Sequence, residues 1–532
     1  MSKEKAMKNK TFLYLTEFFS GMAVMAVELG ASRLLAPYFS SSQIVWTIII
    51  STIMIAMALG NIFGGRSADK NPNPDRLYRR LLIAAVWIAA IPVLGKYIII
   101  AITGILIVTV SSNLLTIAAF LACMIIFVAP CFLLGTVTPS LVKYTVGSLD
   151  DNGRTVGTLG AANTIGSIIG TFLPTFVTIP AVGTSVTFLI FSGVILALAL
   201  IYFLSARVNL IRCLIAVILF IVCIICGNSD SFAFWENNLA YEGESIYNYL
   251  QVKEQEDSTI LSTNVLFGVQ SITKKTDGLT GMYYDTAMAA PVMSGALADG
   301  CDILILGNGS GTYARQCERY FDNVTIEGVE IDGKITELAN EYFDAAENVP
   351  VTTYDGRAYL QAVDKQYDVI MVDAYQDITI PFQMSSQEFF ALVRDHLKEN
   401  GVMVVNMNMR TTAENSINDY LEDTIASVFP YVETVDVAGY TNRELFASRR
   451  DPSDSLRDNE ASVKKDDLRT LLTDMDGLFV TYEGGDRILT DDHAPVELLG
   501  MRALDEIINN ELGYYKDLFK EKGLKGLLEE AI

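Results

Sequence analysis

The stretch that decides the fold is DILILGNGSGTY, residues 302–313. An apolar run, Ile303 to Leu306, leads into a loop with glycine at 307, 309 and 311, and a helical pattern starts directly afterwards. A buried strand that ends in a glycine loop lets a backbone come close to a ligand. The loop lacks the third glycine of G-x-G-x-x-G, because position 312 is threonine, and no lysine follows at P-loop spacing. It therefore offers close approach without the features that grip a pyrophosphate.

Outward from this loop, apolar runs and helical patterns alternate. A helix is expected over 312–320, a strand in NVTIEGVEID and a helix over 333–343. Strands VPVTTYDG and YDVIMVDAY follow, then a helix over 386–398 and the strand GVMVVNM. Alternation of this kind predicts a doubly wound α/β domain with a parallel sheet, whose ligands bind at the carboxyl ends of the strands. Gly307, Glu330, Asp355 and Asp373 all fall at such ends. Glu330 stands 23 residues past Gly307, where a carboxylate can accept both hydroxyls of a ribose. A loop of this type followed by such an acid suits an S-adenosyl ligand, with Asp355 and Gly356 at the adenine edge. Asp373 ends a buried strand and faces the ligand crevice; with Asp377 it can bind an amine and remove its proton. Solvated strand ends and a helix cap at Asp377 are the purely structural alternatives.

The preceding part of the chain reads differently. Half of the 532 residues are hydrophobic, and the mean hydropathy is +0.33. Residues 1–227 hold 15 basic and 7 acidic groups, leaving 24 basic and 55 acidic groups for the rest. Runs long enough to cross a bilayer, ~20 residues each, lie near 11–32, 44–64, 80–108, 114–137, 157–179, 184–204 and 210–227. The first reads as a retained span and not a signal peptide. Residues 1–227 are thus expected to be a polytopic bundle of six or seven spans. A β-strand subdomain is expected over 228–298, with antiparallel hairpin pairing, and the ligand-binding domain with a helical tail over 299–532. Basic clusters before the first span, at 66–80, at 143–154 and at 207–212 mark one side as cytoplasmic. Seven crossings would put the acidic part outside, whereas the cytoplasmic origin of S-adenosyl ligands argues for the inside. Glu17, Glu28 and Arg33 lie within the first span; they mark a functional site, or Glu28 and Arg33 form an internal pair that holds helices together.

The acidic surface repels nucleic acid and attracts cations. Two histidines, His396 and His493, make a His-rich metal site or a Ser-His-Asp triad improbable, so no metal is expected. Seven cysteines, five of them in the hydrophobic half, suggest no disulfide framework. In LTDDHAPVELLG, Asp491 or Asp492 is the expected cap of a following helix.

Taken together, these residues resemble the polyamine aminopropyltransferases, the spermidine synthase family, in their membrane-fused bacterial form. VLFGVQS looks like the family's glutamine-bearing strand, here Gln270, and GMYYDT is similar to its Y-H/Q-E segment, here Tyr284 and Asp285. LGNGSG stands for its G-G-G-D-G loop (Gly307, Asn308, Gly309, Ser310, Gly311), GVEID for its ribose acid Glu330, and YDG for its Asp355-Gly356. VDAYQDITIP stands for its catalytic strand end, with Asp373 as proton acceptor and Asp377 and Tyr375 anchoring the diamine. ELGASRLLAPYFSSSQIVW, GGRSADK and LTDDHAPVE are similar to segments of the membrane-fused members. The resemblance implies a Rossmann-like, class I methyltransferase-type domain. It also implies transfer of an aminopropyl group from decarboxylated S-adenosylmethionine to a polyamine such as putrescine, releasing methylthioadenosine. No tightly bound cofactor is implied; the expected partners are a polyamine, the lipid bilayer and a second copy of the chain.

Three departures point to alternatives. Ser310 replaces the loop aspartate, Thr286 replaces the glutamate of Y-H/Q-E, and Asp377 follows Asp373 by four residues, where the family has three. Ordinary S-adenosylmethionine acting on another amine or a membrane-delivered acceptor is therefore a second reading. A polyamine transporter or sensor with a regulatory domain is a third.

Overall fold

The computed structural model describes residues 9–511 and 513, apart from 41, 111–112, 146–151, 228–230, 237, 266–268, 347, 376–379, 412, 452, 461–462 and 512. These residues divide into two compact units, one up to Phe234 and one from Trp235 onward, with Asn113 counted in the second.

The first unit is helical: α1 (Lys10–Phe39), α2 (Gln43–Lys70), α3 (Pro74–Thr109), α4 (Leu114–Gly135), α5 (Val137–Thr145), α6 (Asn152–Leu173), α7 (Ile179–Ala206) and α8 (Leu210–Gly227). Ser42 caps α2, and Asn73 followed by Pro74 starts α3, as the side-chain acceptor and the missing proline N–H require. Among the described residues, six helical stretches are long and apolar enough to cross a membrane; the fifth runs from Gly153 to Ala206. It is interrupted by a π-turn at 174–178 and by Gly183, whose φ of 78° is not helical. Thr187 Oγ1 lies 3.0 Å from Thr178 Oγ1, nine residues away, where a continuous helix would separate them by about 13.5 Å. The chain bends there, between the two runs that hydropathy separates.

Gly166 and Gly170 on α6 press against the backbone of Phe18 and Met22 on α1, a contact that any β-carbon would block. Beside this contact Glu17 is fully buried and accepts hydrogen bonds from Thr138 Oγ1 (2.5 Å) and Asn163 Nδ2 (2.9 Å). The carboxylate ties three helices together.

The second unit begins with an antiparallel sheet in the order β1 (Leu239–Glu244), β2 (Tyr249–Glu254), β3 (Ser258–Ser262), β4 (Ser271–Lys274). Two short helices, α9 (Tyr283–Ala287) and α10 (Ala289–Met293), lead into the alternating region. That region comprises β5 (Cys301–Leu306), α11 (Thr312–Tyr320), β6 (Val324–Glu330), α12 (Gly333–Tyr342), β7 (Val351–Thr353), α13 (Gly356–Ala362), β8 (Tyr367–Val372), α14 (Gln387–Asp395) and β9 (Leu397–Met407). After α15 (Ile417–Ala426) come β10 (Tyr431–Asp436), β11 (Arg443–Ser448), α16 (Ser453–Asn459), α17 (Asp466–Asp476), β12 (Val480–Thr481) and α18 (Val496–Glu511).

The eight strands from β5 on form one sheet, ordered β12-β10-β11-β9-β8-β5-β6-β7. Winding reverses between β5 and β8, the place where such sheets bind ligands. The central strands read as unbroken apolar runs because both faces are covered. Ile303, Ile305, Val369 and Met371 pack under α9 to α11 on one face, and Leu304, Leu306, Ile370 and Val372 pack on the other. Register pairs Leu306 with both Val329 and Val372, so β5, β6 and β8 end flush. That alignment brings Gly307, Glu330 and Asp373 to one edge. Asp491 does not cap α18. It pairs bidentately with Arg357 (2.6 Å to each oxygen) and accepts from Ser386, because the segment before α18 turns back onto α13 and α14.

Candidate active site

The glycine loop closes tightly over the end of β8. Gly307 has φ +90°, and a β-carbon there would lie 2.6 Å from the Asp373 carbonyl oxygen. Both the conformation and the space demand glycine. Gly309 (φ +54°) and Gly311 (φ +78°) complete the turn into α11. The Gly309 amide donates to Glu330 Oε2 (3.0 Å) and the Asp332 amide to Glu330 Oε1 (3.1 Å). These backbone bonds fix the carboxylate at the edge. Burial pushes its pKa up, against these backbone bonds.

Asp373 is held from two sides. Tyr283 Oη donates to Oδ2 (2.7 Å) and Asn406 Nδ2 to Oδ1 (2.8 Å). Burial raises its pKa to about 7; the two hydrogen bonds pull it down, and the charge of Glu330 pushes it up. A carboxylate poised near neutrality suits proton abstraction. Asn406 is oriented in turn by Asn442, whose Nδ2 donates to its Oδ1 (2.8 Å). Next along the same row of the sheet, Glu444 pairs with Asn406 and is fully buried; neither of its oxygens has a hydrogen-bond partner among the described residues. Burial, then the nearby charge of Asp373, hold that carboxyl well above its usual range.

Two cavities meet at Asp373. One of about 110 Å³ is bounded by Gly307, Gly309, Glu330, Asp355 and Gly356. The other, about 370 Å³, is bounded by Tyr283, Tyr375, Asn406, Asn442 and the apolar side of α18 at Leu504 and Ile507. Asp373 and Gln270 line both. Asp355 caps α13 through its side chain (2.8 Å to the Ala358 amide) at the edge of the smaller cavity.

Most of the remaining sequence-derived residues sit behind these walls. Ser310 is buried and bonds Ser271 Oγ (2.8 Å) and Thr312 Oγ1 (2.9 Å). Tyr284 Oη lies 3.2 Å from Ser271 Oγ, buttressing β4. Asp285 accepts from the Thr280 and Gly281 amides and from Gln316, which pins the turn before α9. Asn308 packs against Gly328, where a β-carbon would meet its Cγ at 2.9 Å. Gly311 begins α11. Tyr375 lines the larger cavity, but its hydroxyl is committed to the Met384 carbonyl (2.9 Å). Asp377 lies outside the described residues. Sequence reasoning passed over Tyr283, Asn406, Asn442 and Glu444; only the two adjacent tyrosines of GMYYDT gave a signal.

The arrangement can hold a nucleoside-like group and an amine on opposite sides of one base. A model of the spermine/spermidine synthase domain matches residues 283–442. A "Probable polyamine aminopropyl transferase" of Bifidobacterium longum is 54% identical over 351 residues, covering 62% of this chain and 78% of that one. A "Polyamine aminopropyltransferase" of Vibrio vulnificus is 23% identical over 299 residues, covering 53% and 98%. Among solved structures, spermidine synthase from Thermotoga maritima covers 43% of this chain and 79% of its own, with 21% identity and a TM-score of 0.36.

Proposed function

The chain belongs to the spermine/spermidine synthase family and is a transferase, and from that premise we propose that it moves an aminopropyl group from decarboxylated S-adenosylmethionine to a polyamine such as putrescine. The donor's adenosine occupies the smaller cavity, its ribose on Glu330 and its base near Asp355 and Gly356. The amine enters the larger cavity and attacks the methylene next to the sulfonium. A C–N bond forms, the C–S bond breaks with its electrons passing to sulfur, and methylthioadenosine leaves. Asp373 takes the proton of the new ammonium, while Tyr283 and Asn406 orient the base. The work done is placement of the reactants and proton removal.

The observation that carries this reading is that Asp373 lines both cavities. Purified protein given decarboxylated donor and putrescine should release methylthioadenosine. Absence of product, with S-adenosylmethionine consumed against some amine, would transfer the reading to a transferase that uses the ordinary donor. One feature favours that second reading. A hydroxyl, Ser310, stands where the family's loop carries a carboxylate, so less negative charge opposes a donor that retains its own.

The long apolar helices support a further part of the proposal, that the protein is a multi-pass membrane enzyme whose second unit works in the cytoplasm, where the donor is made.

A further inference from the structure

The first unit holds a cavity of about 680 Å³ between α3, α4 and α8. Its walls are apolar side chains such as Ile83, Trp87, Ile125, Ile215 and Leu219. Along α3 it runs from Arg79 to Ile98, about 28 Å at helical rise, longer than one leaflet of bilayer hydrocarbon at ~15 Å. Two guanidiniums, Arg79 near the start of α3 and Arg212 near the start of α8, belong to the lining as well. Both stand at the ends that the basic loops mark as one membrane side.

These two arginines differ from their neighbour. Arg80 bonds Ser67 Oγ (2.5 Å) and sits over the Phe63 ring at 5.0 Å. Arg79 and Arg212 make no hydrogen bond or ion pair among the described residues. An apolar shaft with two unpaired guanidiniums matches one kind of molecule: an acyl chain joined to an anionic phosphate head. Guanidinium takes phosphate oxygens bidentately, and basic pockets between membrane helices are suited to acidic headgroups.

We propose that the groove between α3, α4 and α8 is a binding site for an anionic glycerophospholipid, its acyl chain along Ile83 and Trp87 and its phosphate between Arg79 and Arg212. The site rests on the membrane reading of the first unit and is independent of the transfer reaction.

Trp87 makes the groove observable, since the chain has three tryptophans. Full-length protein is reconstituted in phosphatidylcholine vesicles that contain a minor share of phosphatidylglycerol or phosphatidylcholine with brominated acyl chains, which quench nearby indoles. Emission lost in Trp87→Phe isolates the reporter. The brominated phosphatidylglycerol should half-quench Trp87 at a concentration on the order of tenfold lower than brominated phosphatidylcholine. The preference should vanish in R79Q/R212Q and persist in R79K/R212K. Equal quenching by the two lipids, or a preference that survives in R79Q/R212Q, overturns the site. Failure of the unlabelled protein to float with vesicles overturns the membrane reading beneath it, and is read separately.

Discussion

Replacing Asp373 by asparagine should cut turnover by orders of magnitude and stabilise the protein at the same time. The loss follows from the chemistry: a positioned general base contributes roughly 10²–10⁴-fold, or about 3–5 kcal/mol of barrier. The gain follows from burial. A carboxyl with a pKa of about 7 in the folded chain, against 3.8 ordinarily, costs about 4 kcal/mol to keep ionised. Below about pH 4 it is protonated in folded and unfolded chains alike, and the substitution changes nothing by this route. Between 4 and 7 the unfolded chain alone releases the proton, so wild-type stability falls as pH rises. Above 7 the whole cost is present. The acidic pI of about 4.5 makes pH 5.5 a practical lower limit. Relative to wild type, Asp373→Asn should gain about 2 kcal/mol more at pH 8.5 than at pH 5.5. That is a difference of roughly 4–8 °C in the midpoint of the second unit's thermal transition. Asparagine keeps an acceptor for Asn406 and preserves shape, so packing changes should be small. An inactive variant whose advantage is the same at both pH values, or that is less stable at pH 8.5, would refute the assignment of a desolvated, poised carboxylate.

Three further outcomes are expected. The kcat/KM of wild type should rise with pH through about 7 as Asp373 ionises. In Tyr283→Phe the lost hydrogen bond raises that pKa, so the acid limb moves to higher pH, a shift visible in a pH–rate profile. Gly307→Ala places a β-carbon 2.6 Å from the Asp373 carbonyl in a left-handed conformation. It should cost on the order of 1–3 kcal/mol in stability and reduce turnover more than it reduces thioether binding, measured by calorimetry beside the rate.

Much of the sheet was legible because β5, β8 and the second half of β9 are buried on both faces and read as apolar runs between helical patterns. The strand-end rule then placed Gly307, Glu330 and Asp373 on one edge. Legibility stopped where cross-strand neighbours matter. Asn406 is 33 residues from Asp373 in sequence, and Asn442 is 36 from Asn406. Nothing local marks either as a partner, since register across a sheet is set by packing. Tyr283 and Tyr284 are adjacent, and helical geometry turns them about 100° apart. Only α9 packed in place shows that Tyr283 reaches Asp373 while Tyr284 reaches Ser271. Asp491 read as a helix cap because aspartate before an apolar run usually is one; the distant Arg357 took it instead.

The account depends on a ribose clasped by Glu330 beside Asp373, and titration calorimetry of the full-length protein with methylthioadenosine tests this most directly. Binding should be measurable, weaker by roughly 10–100-fold in Glu330→Gln and little changed in Asp373→Asn. Undetectable binding to wild type, or equal affinity in Glu330→Gln, would contradict it.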